Sequence, residues 1–241
     1  MRILLINPNT SESVTDLVAG HVRRIAEGDA EFVPVTARFG ARYIASRAAL
    51  AVAGHAALDC LAEHADGCDA VYLACFGDPG LAALQEVAPV PVVGMVEASC
   101  RAAVEGGRRF SIVTGGALWR PILNAIVGTL SLSAHFAGVR PIAQTGGEIA
   151  RDPEATLTYL ASACRACAVE DGAEAVILGG AALAGLIERI QPHVPVPVIC
   201  SVEAGTRAVL AAASRGFQPP ARIIVESTGL TAPLSRMLAG T

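Results

Sequence analysis

Short apolar runs alternate with longer amphipathic segments along most of this chain. Each run spans four to six residues and is followed by a turn and then by a stretch with helical periodicity. Parallel strands that helices cover on both faces are apolar at nearly every position, so this alternation predicts an α/β fold with mostly parallel sheets. The predicted strands cover residues 3–6, 32–35, 71–74, 90–93, 109–114, 139–142, 175–178, 196–200 and 222–227.

One long segment occurs twice. Residues 69–98 read DAVYLACFGDPGLAALQEVAPVPVVGMVEA, and residues 174–204 read EAVILGGAALAGLIERIQPHVPVPVICSVEA. The repeat indicates two sheets rather than one, and it predicts two pseudo-symmetric, Rossmann-like α/β domains with a shared cleft between them. We expect the first domain to contain residues 1–115 and about 208–241, and the second to contain residues 116–207.

The two copies differ at the position that is best suited to chemistry. Cys75 ends the apolar run of the first copy, and Gly180 stands at the matching place in the second. Ligands of α/β sheets bind beyond the carboxyl ends of the strands, so both positions are predicted to face the cleft. A glycine-containing turn and a helix after Cys75 would lower its thiol pKa and favour a nucleophile or base. The alternative is a cysteine buried as a small hydrophobe.

Other site candidates also follow predicted strands. Asn9 lies in a segment that either caps the next helix or contacts a ligand, and Ser46 either caps a helix or bonds a ligand from a loop over the cleft. Backbone N–H groups after Cys75 and Gly180 are expected to bind carbonyl or carboxylate oxygens and to stabilise an enolate-like charge. The predicted ligand-binding residues are Asn9, Tyr43, Ser46, Phe76, Gly77, Asp78, Thr114, Gly180 and Ala181.

Composition and charge exclude several classes of protein. Hydrophobic residues make up 53% of the chain and aromatic residues 4%, which is typical of tightly packed α/β layers. The net charge is −4 without a basic stripe, so a nucleic-acid partner is not expected. Because no apolar window of about 18 residues is free of charge, we expect no membrane helix and a cytoplasmic protein.

The seven cysteines argue against a disulfide framework, because the number is odd and the chain is long. Cys164 and Cys167 have the spacing of a redox pair but lie in the middle of a predicted helix, which indicates packing. Cys200 follows the second PVPV segment, and the sequence leaves open whether it lies near the cleft. No histidine or cysteine spacing predicts a metal site.

At these residues the chain resembles the aspartate/glutamate/hydantoin racemase superfamily, and within it the hydantoin and allantoin racemase branch. The resemblance covers nearly the whole chain. It is carried by ILLINPNTSESVT at 3–15, ARYIASR at 41–47, DAVYLACFGDPGL at 69–81, PVVGMVEA at 91–98, GRRFSIVT at 107–114 and DGAEAVILGG at 171–180.

The resemblance implies an enzyme without a cofactor, whose active site lies between two pseudo-symmetric domains. In that family two cysteines face each other across the substrate; one removes the α-proton and the other returns a proton on the opposite face. Cys75 matches the first cysteine. The second is expected in a segment like LGCAG, where this chain has LGGAA at 178–182, so the second acid/base group is missing.

We therefore expect an isomerase-like enzyme that acts on a small hydantoin-like or amino-acid-like substrate through one thiol, with weak or no two-base racemisation. The first alternative is a one-thiol lyase, decarboxylase, or hydrolase or desulfurase of a hydantoin-type ring. The second is a non-catalytic binder of small molecules. The expected partners are a small-molecule substrate and further copies of the chain in a homo-oligomer.

Overall fold

Two parallel four-stranded sheets form the core of the protein. The computed structural model describes residues 1–221 and 224–240. The first sheet has the strand order β2-β1-β3-β4, and the second repeats it as β6-β5-β7-β8. The strands are β1 (Arg2–Asn7), β2 (Glu31–Thr36), β3 (Ala70–Leu73), β4 (Val92–Gly94), β5 (Phe110–Gly115), β6 (Phe136–Ile142), β7 (Ala175–Leu178) and β8 (Val198–Cys200).

Helices connect the strands and cover both faces of each sheet, as the alternating pattern predicted. They are α1 (Glu12–Ala26), α2 (Arg47–His64), α3 (Leu81–Val87), α4 (Met95–Val104), α5 (Trp119–Thr129), α6 (Gly146–Arg151), α7 (Leu157–Val169), α8 (Ile187–Ile190), α9 (Ser201–Ala213) and α10 (Ala232–Ala239). None of these helices is both long and apolar enough to cross a bilayer, within the part of the chain that the structure describes.

Eight of the nine predicted strands form. The ninth, at 222–227, begins at two residues outside the described ones, and residues 224–227 are not in a strand. The following helix, α10, instead packs against α2. The Thr231 hydroxyl donates to the Asp59 carboxylate at 2.7 Å, which attaches this end of the chain to the first sheet's helices.

Strands β1–β4 and their helices form the first half of the structure, and β5–β8 and theirs form the second. The helix that follows the final strand of each half also packs against the other half. Helix α4 follows β4 but also packs against β5, β7 and β8, and α9 follows β8 but packs against α1, β3 and β4. The Tyr72 hydroxyl donates to the carbonyl oxygens of Ser201 and Val202 at 3.5 and 3.4 Å. Its ring fills the space beside Gly205, where a Cβ would lie 2.2 Å from the hydroxyl oxygen. This exchange joins the halves closely; the domain boundaries themselves stay a prediction.

The predicted packing role of the Cys164 and Cys167 pair agrees with the structure. Both side chains are fully buried on α7 and belong to the core of the second half.

The core on either side of each sheet is built from strand residues such as those of β1, where positions 3–6 are all inaccessible to solvent.

Candidate active site

A cavity of about 220 Å³ lies between the two halves, beyond the carboxyl ends of their strands. Its lining comes from the loops after β1, β2 and β3 on one side and from those after β5, β6 and β7 on the other. Parallel strands in one sheet end at the same edge, so these loops converge by topology. The predicted site residues that line the cavity are Asn9, Tyr43, Cys75, Phe76, Thr114, Gly180 and Ala181.

Three predicted ligand-binding residues do not line this cavity. Ser46 takes its alternative role and caps α2, accepting a hydrogen bond from the Ala49 backbone N–H at 3.1 Å. Gly77 lies under the indole of Trp119, where a Cβ would come within 2.9 Å of the ring. The Asp78 carboxylate is turned away from the cavity and accepts hydrogen bonds from the first turn of α4.

Cys75 is the second residue after β3 and is almost completely buried. Its side chain lies in a small apolar cluster with Ile44 and Ala53, against which Trp119 of the second half packs. The thiol therefore meets the cavity from an apolar wall, and residues from both halves form that wall.

The expectation that this turn lowers the thiol pKa is wrong. Burial raises the pKa of Cys75 well above its usual range, and the nearby Asp78 carboxylate shifts the pKa in the same direction. The N–H groups of Gly77 and Asp78 donate to the Cys75 carbonyl at 2.8 and 3.1 Å, and the next helix begins only at Leu81. No charge in this turn stabilises a thiolate, so the thiol is protonated at neutral pH.

Gly180 occupies the matching position, the second residue after β7. Its φ of 139° lies in the region that favours glycine, so the backbone at Gly180 has a conformation that a residue with a side chain rarely adopts. Its N–H donates to the Ser201 hydroxyl at 3.1 Å, and the Thr114 hydroxyl donates to the Gly179 carbonyl at 2.7 Å. A Cβ at Gly180 would meet Leu183 at 3.7 Å, so there is room for one.

Two aromatic rings connect the halves across the cavity. The Phe76 ring occupies the space over Gly179, where a Cβ would lie 2.0 Å from a ring carbon. The Tyr43 ring lies against Gly147 of α6, where a Cβ would lie 3.2 Å away. Glycine at both places lets the rings approach the opposite backbone, which sets the width of the cavity.

The cavity offers hydrogen-bond donors but no charge. Among the described residues that line it, none is Asp, Glu, Lys, Arg or His. The backbone N–H groups of Phe76, Ala181 and Ala182 have no acceptor within residues 1–221 and 224–240. The Asn9 amide nitrogen is likewise without a described partner, while its oxygen accepts from the Ser11 N–H at 2.9 Å. The site is thus suited to a neutral, oxygen-bearing molecule.

The N–H groups fit the predicted oxyanion role only in part. Those of Gly77 and Asp78 are used within the Cys75 turn, and that of Gly180 is used by Ser201. Phe76 and Ala181 follow Cys75 and Gly180 directly, and their N–H groups, on opposite sides of the cavity, have no acceptor among the described residues.

Cys200 does not line the cavity. Its half-buried thiol lies beside the start of α9, where burial raises its pKa and the backbone N–H groups of Glu203 and Val202 oppose that shift. Sequence reasoning missed Trp119 and Ile149, which form part of the lining. The sequence did contain a signal for Trp119, because this residue, the single tryptophan of the sequence, stands shortly after β5 and the glycines Gly115 and Gly116, where ligand-contacting loops are expected.

Comparisons with known proteins identify the family of this chain. A family model described as Asp/Glu/Hydantoin racemase matches residues 3–209. A hydantoin racemase of Rhizobium meliloti is 33% identical over 224 residues, covering 90% of each chain. A hydantoin racemase of Pseudomonas sp. (strain NS671) is 31% identical over 208 residues, covering 86% of this chain and 84% of that protein.

The fold is also similar to that of a solved structure. The allantoin racemase from Pseudomonas fluorescens superimposes with a TM-score of 0.87 at 29% sequence identity, covering 98% of this chain and 96% of that one. The similarity therefore includes both halves of the chain.

Proposed function

Because this chain belongs to the Asp/Glu/hydantoin racemase family, we propose that it acts without a cofactor on a small hydantoin-like ring through a single thiol, that of Cys75. Cys75 and Gly180 line one cavity from opposite halves, and only one of them carries an acid/base group. That asymmetry is the observation on which the proposal depends.

The lining of the cavity supports a neutral ring over an amino acid. A free carboxylate is usually recognised by Arg or Lys, and the described lining contains neither. The carbonyl oxygens of a cyclic ureide are instead matched by neutral backbone N–H donors such as those of Phe76 and Ala181. The hydantoin and allantoin racemases among its relatives carry rings of this class in their names.

The chemistry begins with the loss of the Cys75 proton to solvent. The thiolate then removes the proton from the ring carbon beside a carbonyl group, and the electron pair moves toward the carbonyl oxygen. The donors available to that oxygen are the N–H group of Phe76 on one side of the cavity or those of Ala181 and Ala182 on the other. The protonated sulfur then exchanges its hydrogen with solvent and returns a solvent-derived proton to the same face, so the hydrogen on the ring carbon is exchanged while the configuration is kept.

Among the described residues that line the cavity, one other side chain is ionisable, that of Tyr43, which lies against Gly147. At Gly180 there is only backbone, so two-base racemisation is weak or absent in this proposal. The asymmetry also favours a second candidate, lyase or hydrolase chemistry on the same ring, in which the Cys75 thiolate acts without a partner on the opposite face.

The separated enantiomers of a 5-alkylhydantoin, incubated in D2O, test the proposal. We expect deuterium at the ring C5 of one enantiomer, with its configuration kept, and no exchange with Cys75→Ala. Chiral chromatography with mass spectrometry measures label, configuration and product together. Inversion of both enantiomers at similar rates would contradict the one-thiol proposal, and a ring-opened or decarboxylated product would favour the second candidate.

A further inference from the structure

We infer that Asp78 is a positioning residue for Cys75, because its buried carboxylate ties the Cys75 turn to the start of α4. The inference rests on the proposed role of Cys75. It assigns Asp78 a task different from the ligand contact that the sequence predicted.

Asp78 makes hydrogen bonds in both directions. Its carboxylate oxygens accept from the N–H groups of Val96 and Glu97 at 2.9 and 2.8 Å. Its own N–H donates to the Cys75 carbonyl at 3.1 Å, which closes the turn. One residue therefore holds both the turn that carries the thiol and the first turn of a helix.

The fit of the carboxylate is close. A Cβ at Gly94 would lie 2.5 Å from a carboxylate oxygen of Asp78, so only glycine leaves room for it. Asp78 itself has a φ of 41°, in the left-handed region that is uncommon for a residue with a side chain. Such a conformation persists only where surrounding contacts enforce it, and here the two N–H bonds do so.

The helix that Asp78 holds belongs to the interface between the halves. Helix α4 packs against β5, β7 and β8 of the second half. Asp78 therefore links the Cys75 turn, through α4, to the half that contains Gly180, and so sets the position of Cys75 relative to that half. An error in that position changes the distance between the thiol and a substrate bound between the halves.

The second copy of the repeat lacks this contact. The residue that matches Asp78 is Leu183, which is buried in the core of the second half. There the Gly180 N–H bonds to Ser201 instead. The buried carboxylate thus occurs only in the copy that carries the thiol, which supports a role in serving that thiol rather than the fold in general.

The charge of Asp78 affects the thiol pKa of Cys75, and this effect can be measured separately from turnover. Burial raises the pKa of Asp78 to about 7, the N–H groups of Val96 and Glu97 oppose that shift, and the Glu97 carboxylate adds to it. The other ionisable groups that sense Asp78 are Cys75, Tyr72 and Cys100, and its charge raises the thiol pKa of Cys75. Ionisation of Asp78 therefore makes the Cys75 thiolate harder to form.

Alkylation of Cys75 by iodoacetamide, followed by mass spectrometry of the Cys75 peptide from about pH 6 to about pH 10, tests this. In the wild type the rise of log rate with pH should become shallower near pH 7, where Asp78 ionises. In Asp78→Asn the bend should vanish, and alkylation above pH 7 should be about threefold to tenfold faster, as expected for a thiol pKa lowered by half to one unit. A straight wild-type line of unit slope would overturn the inference, even if the variant does not fold.

Kinetics of C5 exchange separate positioning from binding. Asp78→Asn should lower kcat by about tenfold to 100-fold with little change in KM, although more of the thiol is ionised, since small displacements of a reacting group are costly. Asp59→Asn is the matched control, because Asp59 is a buried carboxylate outside the cavity that accepts from Thr231. It should lower stability and leave the Cys75 alkylation profile unchanged.

If Asp78→Asn and Asp59→Asn changed the pH profile of Cys75 alkylation by the same amount, Asp78 would have only a structural role. An unchanged kcat in Asp78→Asn would likewise overturn the inference. Alkylation needs no substrate. A failure of the hydantoin assay with an intact alkylation result would therefore count against the proposed function alone.

Discussion

Cys75 and Gly180 stand at equivalent places in the two copies of the repeat, each the second residue after its strand, and they line the same cavity. A pair of acid/base groups at these places would reach both faces of a ring between them. At these two places this chain has one thiol, that of Cys75, and at Gly180 a backbone in a conformation that favours glycine. The two positions therefore differ both in their side chains and in their backbone conformations.

Replacing Cys75 by serine should reduce C5 hydrogen exchange by about 100-fold to 10,000-fold, the usual cost of losing a positioned general base. Proton NMR of a 5-alkylhydantoin in D2O measures the rate directly. Cys200→Ala is the matched control, since it removes a half-buried thiol that does not line the cavity, and it should keep the wild-type rate. Near-wild-type exchange by Cys75→Ser would contradict the assignment of the thiol.

Exchange should become faster as pH rises through the neutral and alkaline range. Burial raises the thiol pKa of Cys75, so at neutral pH the free enzyme holds the protonated form and the thiolate fraction grows with each pH unit. The measurement is kcat/KM for deuterium incorporation against pH, corrected for exchange without enzyme. A profile that is flat from neutral pH upward would show that the thiol is already ionised.

Introducing a second thiol by Gly180→Cys should make inversion of configuration detectable, at a cost in stability. Space for a Cβ exists, but the φ of 139° costs a residue with a side chain about 1–3 kcal/mol unless the backbone moves. Gly180→Ala carries the same strain without a thiol. We expect a lower melting temperature in both variants and inversion only in Gly180→Cys; equal inversion in both would argue against a second thiol as the missing group.

Gly205→Ala should destabilise the contact between the halves. The added Cβ would lie 2.2 Å from the Tyr72 hydroxyl oxygen, and such overpacking typically costs about 1–3 kcal/mol. Gly20→Ala, also inside a helix, meets no atom within 4 Å and should stabilise by about 0.4–1 kcal/mol. Urea unfolding gives both free energies, and equal stability of the two variants would contradict this account of the interface.

The sequence by itself determined the architecture and the place of the site. Apolar runs long enough for buried strands, separated by helical periodicity, predict mostly parallel sheets, and the repeat predicts two of them. Since parallel strands present their carboxyl ends at one edge, the sequence also brought Asn9, Cys75, Thr114 and Gly180 to one cavity.

Only the tertiary structure decided how those residues behave. The direction of the Asp78 carboxylate depends on where α4 lies, and α4 is placed by contacts with the second sheet that are distant in sequence. The thiol pKa of Cys75 depends on burial by groups such as Trp119, which local sequence cannot supply. Periodicity encodes which face of an element is buried, whereas pKa and hydrogen-bond direction depend on which other elements bury it.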